Sequence, residues 1–301
     1  MYVTQAGGVE VFPLAATGNV TPSATIADVT TPFMDAHRTA FDASGNIYVT
    51  DAANNSVTEF AAGATGAATP IATIAGANTG LDIPSGIAID ASGKIYVTNE
   101  DNPTGNSVTI FSAGATGNVA PAATIAGANT LLDTPNGIAL DSHGNIYVAN
   151  ENGPGFSVTI YPAGTNGNVA PSGTITGANT GLNVSHAVAL DSAGNVYVTN
   201  ASGSATPGTS GNGSVTVYAP SATGGDIAPT STIAGANTLL DHPNGIAIDS
   251  KGNIYVANSS HNNGTPSVTV FLAGANGNIA PSAVISGSST GFTLIHGLSL
   301  F

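Results

Sequence analysis

Apolar and small polar residues alternate along most of the chain in short runs, and the runs recur in a fixed order. The segment from Asn136 to Gly177 shows that order once through: GIALD, NIYVAN, SVTIY and SGTIT, separated by tight turns or by Gly/Pro/Asn loops. Alternation of β-branched and aromatic residues with small polar ones marks strands that bury one face. No segment carries a helical period. The pattern predicts an all-β chain with about four short strands in each unit.

The unit repeats. An Asp-x-x-Gly turn followed three residues later by Tyr occurs at Asp42/Gly45/Tyr48, Asp90/Gly93/Tyr96, Asp141/Gly144/Tyr147, Asp191/Gly194/Tyr197 and Asp249/Gly252/Tyr255. The Tyr-to-Tyr steps are 48, 51, 50 and 58 residues, and Tyr2 is a sixth copy, 46 residues before Tyr48. The long step holds a Ser/Gly/Thr-rich insertion, Ala201 to Gly213. A period near 50 with four strands per period predicts a β-propeller in which each repeat is one four-stranded antiparallel blade.

Strands are lettered a to d from the axis outward. The chain begins in a strand b (MYVT) and ends in a strand a (His296 to Phe301), so a sixth blade closes only if both ends share it. The prediction is a single domain over residues 1–301: blade 1, 36–76; blade 2, 85–127; blade 3, 136–177; blade 4, 185–235; blade 5, 244–287; blade 6, 296–301 plus 1–27. Strands of blade 2 are expected at Ile87–Asp90, Ile95–Asn99, Ser107–Phe111 and Ala122–Ala126, and those of blade 6 include Gly8–Phe12 and Ser23–Ala27.

The blade motif P-x-G-I-A-[IL]-D-x-x-G-x-I-Y-V-[TA]-N, as in Pro84–Asn99 and Pro135–Asn150, resembles the NHL repeat of six-bladed propellers and covers essentially the whole chain. The resemblance implies the fold and leaves function open, because RNA-binding, protein-binding, sensor and scaffold members exist. Related six-bladed propellers include lactonases of the gluconolactonase type, and virginiamycin B lyase is a related propeller with more blades. Lactonases of that type hold a metal at the channel mouth with Glu, Asn and Asp from strand starts. Only Glu10, Glu59, Glu100 and Glu151 exist here, and none begins a strand a. The lyase comparison requires paired His and a nearby Glu; His37 and His296 supply a pair.

Composition narrows the partners. Charged residues are 7% and net charge is −14, with Arg38, Lys94 and Lys251 the only basic residues. Such a surface repels phosphate backbones and anionic membranes, so neither nucleic acid nor membrane insertion is expected. The absence of Cys excludes thiolate sites and disulfides. Met1 runs straight into a strand pattern, so no leader is expected within the chain, and a secreted precursor would carry residues upstream.

Within the repeat, symmetry sorts structure from function. The Asp at every Asp-x-x-Gly turn reads as a hairpin acceptor, with Gly at positive φ. Symmetry breaks five residues before each turn Asp, at the start of strand a: His37, Ser85, Asn136, His186, Asn244 and, in the closing blade, His296. This ring is expected around one mouth of the channel as the binding site. Loops on the same face carry Asp35, Asp82, Asp133 and Asp241, with Asp51, Asn99, Glu100, Asp101, Asn150, Glu151, Asn200 and Asn258 after strand b. His37, His186 and His296 are candidate ligands for a divalent cation, although blade 4 lies across the channel from blade 1; the alternative is that they bond water and their neighbours, with no cofactor. His143, His242 and His261 are expected in solvated turns and loops.

No Ser nucleophile motif, phosphate loop or Cys–His pair is present. The expected function is a non-catalytic binding or scaffold propeller of a secreted, surface-exposed or periplasmic bacterial protein. It would contact a protein, a glycan or further copies of itself in an extracellular assembly or fibre. The alternative is a metal-assisted hydrolase, lactonase-like, or a lyase acting at the His ring, where a neutral-range pKa suits acid–base work.

Overall fold

A computed structural model describes residues 1–100, 106–152, 156–201, 213–220, 224–259 and 265–301. Asp101, His261 and most of the Ala201–Gly213 insertion lie outside these residues. The alternating runs form six sheets of four consecutive antiparallel strands, arranged as a six-bladed propeller. The strands of blade 2 are Pro84–Ile89, Ile95–Asn99, Ser107–Phe111 and Ala123–Ala126. Blade 6 closes as expected, with Ile295–Ser299 paired to Tyr2–Gln5, followed by Gly8–Val11 and Ala24–Asp28.

Strand a starts earlier than the sequence pattern suggested, at Pro84 rather than Ile87, because Pro84 pairs with Asn99 across a register shift. The same shift stands at this end of the a–b ladder in all six blades. A bulge kinks a strand and re-aims a side chain. Here it sits where the ring residues meet the channel.

The hydrophobic effect holds the blades to one another. Six apolar clusters each bridge a pair of neighbouring blades. Each cluster receives a large aromatic from the end of strand c: Phe12, Phe60, Phe111, Tyr161, Tyr218 or Phe271, all fully buried. Burying one such ring contributes roughly 2–3 kcal/mol. The Asp-x-x-Gly turns are structural, as read from their repetition: Asp42 Oδ1 accepts from the N–H groups of Ser44 and Asn46 at 2.8 and 2.9 Å, and Gly45 has φ +82°.

A belt seals the outer edges. The c–d loop of each blade pairs in parallel with strand d of the blade before it, at Gly18, 66–68, Gly117, Gly167, Gly224–Gly225 and Gly277. No strand d is therefore left as an open edge, the usual site of unwanted sheet pairing. In five of the six blades an Asn or Asp then accepts an N–H from the preceding blade, Asn19 taking that of Ser289 at 2.7 Å, while blade 1 has Ala67 at that position. Asn118 takes that of Asn78 at 2.7 Å, Asn168 that of Asn129 at 2.8 Å, Asp226 that of Asn179 at 2.6 Å, and Asn278 that of Asn237 at 2.8 Å.

Candidate functional site at the channel mouth

Strand b fixes the loops that frame the mouth. Its last residue is Asp51, Asn99, Asn150, Asn200 or Asn258, all buried, and each side chain turns inward. Asn99, Asn150 and Asn258 Oδ1 accept from the N–H groups of Asp82, Asp133 and Asp241 at 3.1, 3.1 and 3.2 Å. These residues, expected on the open polar face, are staples of the d–a loop. Asp51 does the same for Met34 and Asp35, at 3.0 and 3.1 Å.

The six residues counted from the turns stand near the start of strand a in their blades, and Asn136 joins two groups of contacts among them. On one wall, His37 and His296 stack with centroids 4.4 Å apart and planes 14° apart. Asp35 faces both: its Oδ2 is 3.3 Å from His37 Nε2 and its Oδ1 is 3.2 Å from His296 Nε2. The His296 contact is off the axis a hydrogen bond requires, which leaves that buried nitrogen without a hydrogen-bond partner among the described residues. Contacts with His296 and then His37 hold the Asp35 carboxyl well below the usual carboxylate range, and burial lowers the pKa of His37. His37 Nδ1 lies 3.2 Å from Ser85 Oγ, which lies 3.2 Å from Asn136 Oδ1.

Across the channel, His186 Nδ1 meets Asn244 Oδ1, and its Nε2 is 3.3 Å from Glu151 Oε1. Asn136 Nδ2 donates to Glu151 Oε2 at 3.3 Å. The Glu151 carboxyl pays for burial but is drawn below its ordinary pKa by His186, Asn136 and His242. His242 packs edge-on against His186, with centroids 5.4 Å apart, rather than standing in a solvated loop; His143 is exposed as expected. His186 therefore does not join the cluster of His37 and His296; Asp35 takes the third place, its ligand atom and theirs lying within 4.8 Å of one another.

Arg38 forms the floor. It occupies the strand-a position held elsewhere by Gly86, Gly137, Ala187, Gly245 and Gly297. Those small residues let neighbouring blades approach: a Cβ on Gly137 would stand 2.7 Å from Ala187 Cα. Arg38 instead runs past Gly297 and spans the channel. It donates to the His296 carbonyl, to Asn136 Oδ1 at 2.8 Å and to the Asn244 carbonyl at 2.9 Å. Burial lowers its pKa to about 10, opposed by Glu100 and Glu151, so it stays charged at neutral pH. Beyond Arg38 the channel widens into a cavity of about 390 Å³ walled by the rest of strand a, including Phe41, Leu140 and Ile248. No histidine lines that cavity; the ionisable cluster lies on the other side of the Arg38 floor.

Glu100 completes the mouth. The residue as a whole is half-buried, but Oε1 is enclosed and has no partner among the described residues. Burial pushes its carboxyl up to about 7; Ser85 and Arg38 pull it down, and Glu151 and Asp35 push it further up.

A family model described as SMP-30/gluconolactonase/LRE-like region matches residues 1–166, more than half of the chain. The chain belongs to the SMP-30/gluconolactonase/LRE-like family. A second model, a beta-propeller repeat, matches residues 231–264. No curated protein matches the chain. Among solved structures it is similar to a Bacteroides caccae protein of unknown function, at 9% identity over 98% of this chain and 96% of that one, with TM-score 0.65. Kuenenia stuttgartiensis hydrazine synthase is 15% identical over 90% of this chain and 72% of that one, TM-score 0.59. A gluconolactonase from Xanthomonas campestris is 15% identical over 96% and 90%, TM-score 0.51. At such identities the likeness is one of fold.

In this SMP-30/gluconolactonase-like chain the sequence pattern yielded the ring but not the floor. Arg38 was counted only as a scarce cation, and Glu100 and Glu151 only as loop acids. The signal was present: the residue after strand b reads Ala52, Glu100, Glu151, Ala201 and Ser259, so two blades break the pattern toward the axis.

Proposed function

We propose that this chain is a hydrolase of small neutral esters, lactones foremost, working at the channel mouth, in preference to a non-catalytic scaffold. The observation that carries the reading is Glu100, a half-buried residue near buried Arg38 whose Oε1 is enclosed and without a hydrogen-bond partner among the described residues; burial pushes its carboxyl up to about 7. A chain with 7% charged residues places Arg38, two of its four Glu and four of its six His at this one spot. Clusters of perturbed ionisable groups in a cleft are the physical mark of reactive sites. Family membership supports the same reading, since the family includes enzymes.

The chemistry follows from the charges. Water adds to the ester carbonyl while Glu100 takes its proton. The C–O bond then breaks as Glu100 returns that proton to the alkoxide leaving group. Arg38 provides a fixed positive field under the carbonyl oxygen as it becomes an oxyanion. Asn136 and the His186–Glu151 pair offer polar contacts to a neutral, hydroxyl-bearing substrate; the net charge of −14 disfavours an anionic one.

The test is hydrolysis of a lactone and ester panel followed by proton release. Turnover that falls at least ~100-fold in Glu100→Gln, with KM little changed, supports the reading. Turnover equal in Glu100→Gln and the parent would remove it.

A second reading retains a specific observation. Asn136 Oδ1 is shared by Arg38 and Ser85, and Asn244 Oδ1 is taken by His186. A ring that satisfies itself in this way also suits a binding module for a glycan or protein, in keeping with the NHL-like blade motif. Glycan binding by a panel-inactive protein would favour it.

A further inference from the structure

We propose that Asp35, His37 and His296 form a binding site for one divalent transition-metal ion, of the zinc or iron(II) class, at the junction of blades 6 and 1. The proposal stands whether or not the mouth hydrolyses esters. Its donors are two imidazoles and one carboxylate, whereas gluconolactonase-type propellers, by resemblance, use oxygen donors only.

Geometry comes first. The three ligand atoms lie within 4.8 Å of one another, and Asp35 stands 3.3 and 3.2 Å from the two Nε2 atoms. Ligands of a tetrahedral ion with bonds of about 2.1 Å stand roughly 3.4 Å apart. The two contacts use different oxygens of Asp35, and one atom from each residue lies within 4.8 Å of the others, so an ion would draw the three donors inward toward that spacing. His296 Nε2 is buried and makes no hydrogen bond among the described residues. Its contact with Asp35 Oδ1 at 3.2 Å is not aligned as a hydrogen bond, so a polar nitrogen buried there gains from a ligand placed on its axis.

The outer contacts agree. A ring that coordinates through Nε2 must carry its proton on Nδ1, and a metal-bound histidine usually donates that proton to a fixed partner. His37 Nδ1 faces Ser85 Oγ at 3.2 Å, and Ser85 is held in turn by Asn136. Asp35 is held from behind, its N–H donating to Asp51 Oδ1 at 3.1 Å. Stacking between His37 and His296 keeps both rings turned to the same side. Three protein ligands leave at least one position open, as in catalytic rather than structural sites.

The donor set dictates selectivity. Two imidazoles favour zinc, cobalt(II) and iron(II) over calcium and magnesium, which prefer oxygen. The experiment is direct metal binding to stripped protein: zinc, cobalt(II), iron(II), calcium and magnesium are each titrated anaerobically, with metal-to-protein ratio, cobalt absorption and Tm as readouts. The expected result is one equivalent of transition metal, a raised Tm and cobalt bands of a low-coordinate nitrogen–oxygen site. Calcium and magnesium should fail to compete at a hundredfold excess. Binding should weaken at least tenfold in each of His37→Gln, His296→Gln and Asp35→Asn, and persist in His186→Gln, with a circular dichroism spectrum confirming that each variant folds. Tighter binding of calcium than zinc, no binding of any transition metal, or zinc binding indifferent to His296→Gln in a folded variant would each overturn the proposal. Zinc binding with no ester turnover would keep this site and remove the hydrolase reading.

Discussion

The outer belt and the channel mouth are made from the same repeat and obey opposite rules. In the belt, corresponding positions do the same job in five of six blades: Asn19, Asn118, Asn168, Asp226 and Asn278 each accept an N–H from the preceding blade, and only blade 1, with Ala67, departs. At the mouth, corresponding positions do different jobs. The second residue of strand a is His37, Ser85, Asn136, His186, Asn244 or His296, and the next residue is Gly, Ala or Arg38. Where copies agree, packing and backbone hydrogen bonds set the residue. Where they disagree, a single central axis is shared by all six, and only an unequal set of side chains can build a site there.

Removing Gly297–Phe301 tests both regions at once and should have the largest effect. It strips blade 6 of Leu298 and of the ladder to Tyr2, Val3 and Thr4, opening the ring. A Tm loss on the order of 10 °C or more is expected by calorimetry, since every interblade cluster depends on closure. A truncated chain that melts with the parent would show that the blades stand alone.

Next comes Gly137→Val. The new Cβ meets backbone of the neighbouring blade at 2.7 Å, and overpacking of this kind costs about 3 kcal/mol. Urea unfolding should report it; a cost below ~1 kcal/mol would mean that the inner ring is looser than the belt.

Glu100→Gln sharpens the contrast through pH. Glu100 is raised in the folded state from 4.5 to about 7. Its fold therefore favours the protonated form, and that contribution is fully present below pH 4.5 and lost as pH rises through about 7. Glu100→Gln should gain about 2 kcal/mol relative to the parent at pH 8 and little at pH 4, the figure discounted because part of the residue meets water. A difference that does not change with pH would place Glu100 in solvent.

The smallest effect belongs to the belt. Asn168→Ala loses one acceptor for the N–H of Asn129 and should cost about 1 kcal/mol, as should Asn118→Ala and Asn278→Ala. Costs that differ widely among the three would break the claim that the belt is uniform.

Legibility in the sequence followed the same division. Turns, strands and the split blade were readable because alternation and turn chemistry act over a few residues and recur. The ring of strand-a starts was readable by counting from each turn Asp. The grouping of its members was not: His186 meets Glu151 and Asn244, while Asp35 meets His37 and His296, and these choices depend on the bulge and on contacts across the axis. Arg38 was missed because its meaning lies in what the other blades have at that position, and its partners Asn136 and Asn244 are remote in sequence.

The belt also bears on how such a chain can change in length. Each blade's outer edge is closed by a loop that belongs to the blade after it, so every copied segment carries the clasp for its predecessor. A tandem duplication of one whole unit would bring its own clasp and orphan none. A partial duplication would leave one edge bare and one loop without a host. Gene-level tinkering with this architecture is thereby channelled into whole multiples of a unit, while the axis is free to diversify one residue at a time.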